Sequence, residues 1–439
     1  MRRAALLVAI LLPCGASAQE ISTVTLSMSE AVERAIAHSE DVSITRERGD
    51  KLKGSYIKAR SRALPQLLGT FRWSRYADKP VQIADFGAGP QEVEFMRAWE
   101  MDVSATLTQV LWAFGRVKTA IDAVKDAMDV ERFSQETAKS EVAFATKRGY
   151  LTILLARDTL AIAEQSHQNA LENQRAMTAR IGGGRASRVD NVKMAVDVES
   201  RVPPKLEARS RLDSLMIAFR RLIGADRDVE LALTDELAEE FPVFDRAELE
   251  GRMLEREPSL RAALRQVGLS DRLVRLRKSN YMPTLSAMAQ YRYYGNDEQP
   301  VPEQLYFDPS WLLGIRLDLP IWGGGHKAGS VREASRDRNM ADLAFHKRKR
   351  DLVVELDSAL SEYRSVIGVY RANGEALKLA EESYGIAMSS FKAGRASQAQ
   401  LNDAELQLTG AKLRTRQSLY NIHMILARIE RLTSGEELP

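Results

Sequence analysis

Cysteine is almost missing: Cys14 is the only one in 439 residues. It stands inside what reads as an export signal, with Arg2 and Arg3 in front, an apolar core over residues 4–13, and the small residues Ala16, Ser17 and Ala18 at the cleavage site. Cleavage there starts the mature chain at Gln19 without a cysteine, which excludes disulfide and thiolate chemistry. Pro13 occupies the place where acylation of Cys14 needs a small residue, so the signal reads as cleaved and not lipidated. Past residue 18 no uncharged apolar run is long enough for a membrane helix, since residues 150–163 are interrupted by Arg157 and Asp158. The charge excess is only +3, too small to argue for nucleic acid. The basic run 346–350 reads as a solvated helix face. The five histidines (38, 167, 326, 346 and 423) show no metal-ligand spacing. No nucleophile–base constellation is present either, so no enzyme, metal or cofactor is expected.

Proline is absent from two long stretches, and these organise the chain. Over residues 116–181 apolar side chains recur every three or four positions (Ile121, Val124, Met128, then Tyr150, Ile153, Leu154), with Gly149 the only glycine. This is helical periodicity, and at 1.5 Å per residue it spans about 100 Å. Such a rod must lie against other rods, as in a coiled coil. It ends at a glycine turn, 182–187, and a helical pattern returns over 186–223. Residues 326–391 are a second proline-free rod, turning at 393–397 and returning over 397–433. The turns share Gly-Arg-Ala-Ser, at Gly184 and Gly394, and these glycines stand 210 residues apart, as do Gly115 and Gly325. One internal duplication covers most of the chain: a signal over 1–18, a first repeat over 19–224, a linker over 225–244 and a second repeat over 245–439.

Each repeat opens with a helix, over about 27–62 and 245–279. Ser27 with Glu30 and Asp245 with Glu248 form expected capping boxes, and the first helix should break near His38-Ser39. The period then changes to two, the strand signal. Residues 66–74, 101–111, 284–294 and 311–321 each alternate an apolar face, such as Leu313, Ile315, Leu317 and Leu319, with a polar one. Residues 77–98 and the stretch after 294 read as loops, the first about eight residues longer. All five tryptophans (Trp73, Trp99, Trp112, Trp311 and Trp322) lie in or beside these strands, joined by Tyr291.

Strands with an apolar outer face, charges on the other face and aromatics near the ends carry the signature of an outer-membrane barrel. Lipid offers the backbone no hydrogen bonds, so strands cross it only as a closed sheet. A water-soluble sheet would need a second apolar sheet to cover it, and the chain has none. Four strands do not close a barrel, about eight being the smallest usual number, so the chain must oligomerise. Two copies give eight strands and three give twelve; the pattern alone does not choose.

The order helix, strand, loop, strand, long helix, glycine turn and return helix, twice over, resembles the TolC-type outer membrane factors across nearly all of the mature chain. The opening helix at 26–32, the junctions at 63–67 and 281–285 and the two tips carry the likeness. The resemblance implies a mainly α fold with a small β part: long antiparallel α-helical hairpins forming a periplasmic tunnel, and four strands per chain given to a trimeric 12-stranded transmembrane β-barrel. It implies outer membrane lipid, a periplasmic adaptor (membrane fusion) protein docked at the tips, and an inner-membrane RND or ABC transporter as partners. The function implied is a passive exit duct for drugs and other small molecules or for secreted proteins.

Site residues follow from the same resemblance. Gly184, Arg185, Ser187 and Asp190, with Gly394, Arg395 and Ser397, would form the adaptor-docking tips. Gln400 and Asp403 stand where better-known members carry two pore-narrowing acids, so one acid ring is kept and one is neutral, which weakens the cation field at the pore end. Ala396 replaces the family's tip arginine and Phe391 its usual tyrosine, so the closing links must differ. As bland alternatives, Asp403 serves as a solvated helix acid and the two glycine turns as ordinary caps. Gly323-Gly324-Gly325 lacks phosphate-loop spacing and reads as a strand-to-helix turn. The rival classes are a secreted or periplasmic coiled-coil scaffold or adhesin, which leaves the aromatic strands unexplained, and a periplasmic enzyme, which lacks a constellation.

Overall fold

The computed structural model describes residues 23–78, 81–85, 87, 89–94, 97–182, 187–226, 229–300 and 308–433. The expected signal over 1–18 with Cys14, and the tip residues Gly184 and Arg185, lie outside them. A four-residue strand β1 (Thr23–Leu26) opens the chain, and Ser27 then starts α1 (Met28–His38). The expected capping box is present: Ser27 N donates to Glu30 Oε2 at 2.8 Å and Glu30 N to Ser27 Oγ at 3.3 Å. The break comes where expected, at Ser39, whose hydroxyl caps α2 (Glu40–Ser61).

Strand β2 (Gln66–Arg75) follows. The segment read as a plain loop holds a hairpin, β3 (Val81–Asp85) against β4 (Pro90–Glu94). The chain returns in β5 (Trp99–Trp112) and turns at Phe114 and Gly115, both with positive φ, 48° and 76°. Then comes α3 (Arg116–Gly182), an unbroken helix of 67 residues. Its one interior glycine, Gly149, marks a close approach, because a Cβ there would sit 3.1 Å from the ring of Phe219. The return is two helices rather than the one expected, α4 (Arg188–Ser200) and α5 (Val202–Leu222), parted at Arg201. Pro203 and Pro204 explain the break, since proline lacks the N–H a helix interior needs but fits its first turn.

The stretch expected to be a linker contains β6 (Glu230–Leu233), which pairs in parallel with β1, Thr23 opposite Glu230 and Leu26 opposite Leu233. In α6 (Arg246–Arg256) the cap is Asp245 accepting from Ala247 N at 2.9 Å. The expected box partner Glu248 instead takes Arg252 one turn on. Pro258 splits off α7 (Pro258–Ser279), so the expected single helix is again two. Strands β7 (Thr284–Asp297) and β8 (Asp308–Asp318) come next. The last strand ends short of the expected residue 321 because Pro320 cannot donate to a ladder. Finally α8 (His326–Lys392), also 67 residues, and α9 (Gln398–Leu432) form the second hairpin.

The helices share no single core. One apolar cluster joins α6, α7, α8 and α9 around Leu352, Leu356 and Ile422, and a second joins α1, α3, α5 and the β1–β6 pair around Tyr150 and Ile223. Rod α3 ties the repeats together: Arg272 of α7 pairs with Asp126, and Lys147 with Glu430 of α9. At one end stands a four-stranded antiparallel sheet ordered β2-β5-β7-β8, with β5 and β7 joining the repeats at its centre. Its apolar face is bare: Trp311 is 78% exposed and Ile315 74%. No described helix is long and apolar enough to cross a membrane.

The hydroxyl of Tyr150 fastens the β1–β6 pair to α3, donating to Leu26 O at 3.0 Å and accepting from Asp235 N at 3.2 Å. Leu26 O keeps Thr234 N when the hydroxyl is removed, but Asp235 N is left without an acceptor. Tyr150→Phe should therefore lower stability by about 1–3 kcal/mol, seen as a lower Tm in mild detergent with unchanged oligomer mass.

Candidate functional site at the helical tips

The end of the molecule far from the sheet is built from two turns. At the first described residue after its turn, Ser187 forms a capping box with Asp190: Ser187 N and Oγ donate to Asp190 Oδ2 at 3.1 and 2.8 Å, and Asp190 N donates to Ser187 Oγ at 3.2 Å. These bonds from Ser187 hold the Asp190 carboxyl below its usual range. The second turn repeats the device. Gly394, with φ of 79°, ends α8, and Arg395 N donates back to Ser390 O at 2.8 Å. Ser397 N donates to Gln400 Oε1 at 2.8 Å and Gln400 N to Ser397 Oγ at 3.3 Å. Asp190 and Gln400 are thus equivalent members of the duplication, each the third residue of its helix, and both are committed to capping.

Behind the turns an apolar knot joins the hairpins: Met177 of α3, Met194 of α4, Phe391 of α8 and Leu401 of α9 are all buried. Arg180 closes it from α3, its guanidinium 4.7 Å over the Phe391 ring and its Nη1 donating to Phe391 O at 3.3 Å. An arginine of the first hairpin thus reaches the end of α8, beside a turn whose residue 396 is alanine.

Deeper along the same seam lies a polar layer that the sequence reading missed. Glu405 of α9 is fully buried and accepts from Ser166 Oγ at 3.3 Å and Asn173 Nδ2 at 3.1 Å, both on α3. Arg201, at the joint between α4 and α5, lies 4.0 Å from Glu405 and 3.2 Å from Asp197. Burial raises the Glu405 pKa above the usual value, more strongly than Arg201 lowers it. Burial, with the Glu405 charge adding, pushes the nearby Tyr384 hydroxyl up to about 12. A signal was available: Asn173 continues the apolar stripe of Ala170 and Met177, and Glu405 that of Leu401 and Leu408, so each is a polar residue at a core position.

Asp403 and Gln400 sit one turn apart on the opposite, exposed face of α9, where Gln407 Nε2 donates to Asp403 Oδ2 at 2.9 Å. The structure therefore separates the expected pore pair from the buried seam. At the other end of the molecule the aromatic positions project from the bare face of the sheet. Trp73 stacks on Trp99 with centroids 4.9 Å apart, Tyr291 lies in register with Trp311, and Trp112 meets Phe114 edge-on. Trp322 lies just beyond β8, 88% exposed.

The profile of the outer membrane efflux protein family matches residues 31–225 and 249–435, close to the two repeats. Nodulation protein T of Rhizobium leguminosarum bv. trifolii is 22% identical over 393 residues, 87% of this chain and 80% of that protein. Cobalt-zinc-cadmium resistance protein CzcC of Cupriavidus metallidurans is 22% identical over 325 residues, 72% of this chain and 73% of that protein. The CmeC outer membrane channel of Campylobacter jejuni superposes with a TM-score of 0.78 at 15% identity, covering 93% of this chain and 85% of its own. VceC of Vibrio cholerae gives 0.75 at 14%, covering 93% and 96%. At these identities the structural likeness is one of fold.

The buried layer gives a pH test. A raised carboxyl pKa means the folded protein holds a proton that the unfolded chain releases. The site's contribution is therefore full below the ordinary glutamate value of 4.5 and is lost as pH rises through the raised value. Glu405→Gln keeps an acceptor for Asn173 and should remove that loss, so its Tm relative to the native chain should climb as pH rises from 4.5 toward neutrality. A difference that is constant, or that shrinks with pH, contradicts the assignment.

Proposed function

The chain belongs to the outer membrane efflux protein family, and on that premise we propose that three copies of it form the exit duct of a tripartite export system. Members of this family are trimeric outer membrane channels that work with adaptor and pump partners, and they are not enzymes. This chain is such a channel, set in the outer membrane of a Gram-negative bacterium with a helical extension into the periplasm. The observation that carries the assembly is a sheet of only four strands with two open edges and an uncovered apolar face, mounted on rods about 100 Å long. Three copies supply twelve strands, with β8 of one copy pairing with β2 of the next.

In this reading the periplasmic adaptor docks at the tips, on Ser187, Asp190, Arg395 and Ser397 with Gly184, Arg185 and Gly394 between them. Val189, Val192 and Val196 make an exposed apolar stripe on α4 beside these turns, a surface that the chain itself does not cover. The adaptor connects the duct to an inner-membrane RND or ABC transporter, which chooses the cargo; small-molecule efflux and protein secretion use the same duct. Asp403 lines the pore end, with Gln400 as a neutral ring one turn nearer the tip. The Arg180–Phe391 contact and the Glu405 layer hold the two hairpins of one chain together there. A coiled-coil scaffold or adhesin has no use for the bare aromatic sheet.

If three Asp403 carboxylates face the axis, Asp403→Ala should raise single-channel conductance in planar bilayers and weaken block by divalent cations. Unchanged conductance and block would place Asp403 off the pore.

A further inference from the structure

We propose that the outer third of the barrel lumen presents a ring of arginines, Arg72 and Arg292 from each copy, that attracts anionic groups on the departing cargo. The proposal rests on the barrel reading above and adds a selectivity site at the end opposite the tips. Strand direction fixes the level: β2 rises from α2 toward the β3–β4 hairpin, so Arg72 lies near the loop end. Alternation fixes the face. Arg72 stands opposite Asp102 in the β2–β5 register, and Arg292 opposite Ser104 in the β5–β7 register, all on the polar side of the sheet.

The balance of charge here is decided by exposure and not by count. Asp102 is 13% exposed and takes two bonds from Arg292, at 2.9 and 2.6 Å, whereas the Arg292 side chain stays 40% exposed over the Tyr294 ring. Glu100 is 7% exposed and accepts the Tyr76 hydroxyl at 2.5 Å. Arg72 is exposed and makes no ion pair among the described residues. The Glu100 and Asp102 carboxylates therefore lie against the sheet while the Arg72 and Arg292 guanidiniums stand in the open; Asp308, opposite Tyr294, is the further acid of this row. Toward the helices the same face is neutral through Thr70, Ser104, Thr106, Gln290 and Leu312, until Arg316 pairs with Asp318 at 2.9 Å. Three copies place six guanidiniums around the exit, and guanidinium binds carboxylate, sulfate and phosphate in a fork. Within a narrow low-dielectric wall such a ring raises the local concentration of anions.

The single native cysteine lies in the signal region, so one introduced thiol reports alone. In the full chain carrying Ser104→Cys, assembled in the outer membrane, methanethiosulfonates bearing either a sulfonate or a trimethylammonium group are added from outside. Each rate is divided by that reagent's rate with a small thiol in solution, which removes intrinsic reactivity. The anionic reagent should react at least about fivefold faster than the cationic one. Arg72→Gln should shrink the ratio, Arg72→Glu should invert it, and 1 M salt should bring it to about one. Equal rates at low salt, or a cationic preference, overturn the ring. Failure of both reagents to label an assembled protein would instead contradict the luminal placement of Ser104, and with it the barrel reading.

Discussion

Everything in this structure depends on how the edges of one small sheet are satisfied. Strands β2 and β8 each present a row of unpaired backbone groups, and in lipid no water is available to take them, at several kcal/mol per group. Closure is the only remedy, and four strands cannot close on themselves. The need for partner copies is thus built into the chain before any helix contact is considered. The apolar face follows from the same constraint: Leu313, Ile315 and Trp311 are exposed because lipid, not protein, is their environment. The helices inherit the arrangement, since each sheet strand leads directly into or out of a helix, and α7 and α9 each pack against both rods, α3 and α8.

Duplication makes this economical in sequence. The two rods have the same length, 67 residues, and both returns start with a serine capping box. The repeats differ where they do different work. The first carries the β3–β4 hairpin at its outer loop and a proline-split return helix. The second keeps an unbroken return helix whose buried face bears Glu405 and whose exposed face bears Asp403. The break at Arg201 brings that side chain to the buried carboxylate, so the irregularity of one hairpin serves the contact with the other.

What was legible in the sequence was whatever a local period encodes. The rods, the four sheet strands, the Ser27 box, the break at Ser39 and the Gly394 turn all follow from spacing within a few turns. The β1–β6 pair was not legible because two four-residue pieces from distant segments carry no readable alternation; only their pairing makes them strands. Helix breaks at Arg201 and Glu257 have a signal in Pro203, Pro204 and Pro258, but an ambiguous one, because proline marks a helix start as readily as an end. The tip was half legible. Its turns and exposed acids could be placed by repeat, but the Arg180–Phe391 contact and the Glu405 layer join residues more than 200 positions apart, and only tertiary packing brings them together.

The central claim is that the chain completes its barrel with two further copies of itself. The most direct test is the mass of the protein extracted from the outer membrane in mild detergent, corrected for bound detergent. The account predicts extraction only with detergent and a particle of three chains. A protein that leaves the cells in salt buffer as a monomer or dimer would contradict it, since β2 and β8 would then have to be satisfied by water.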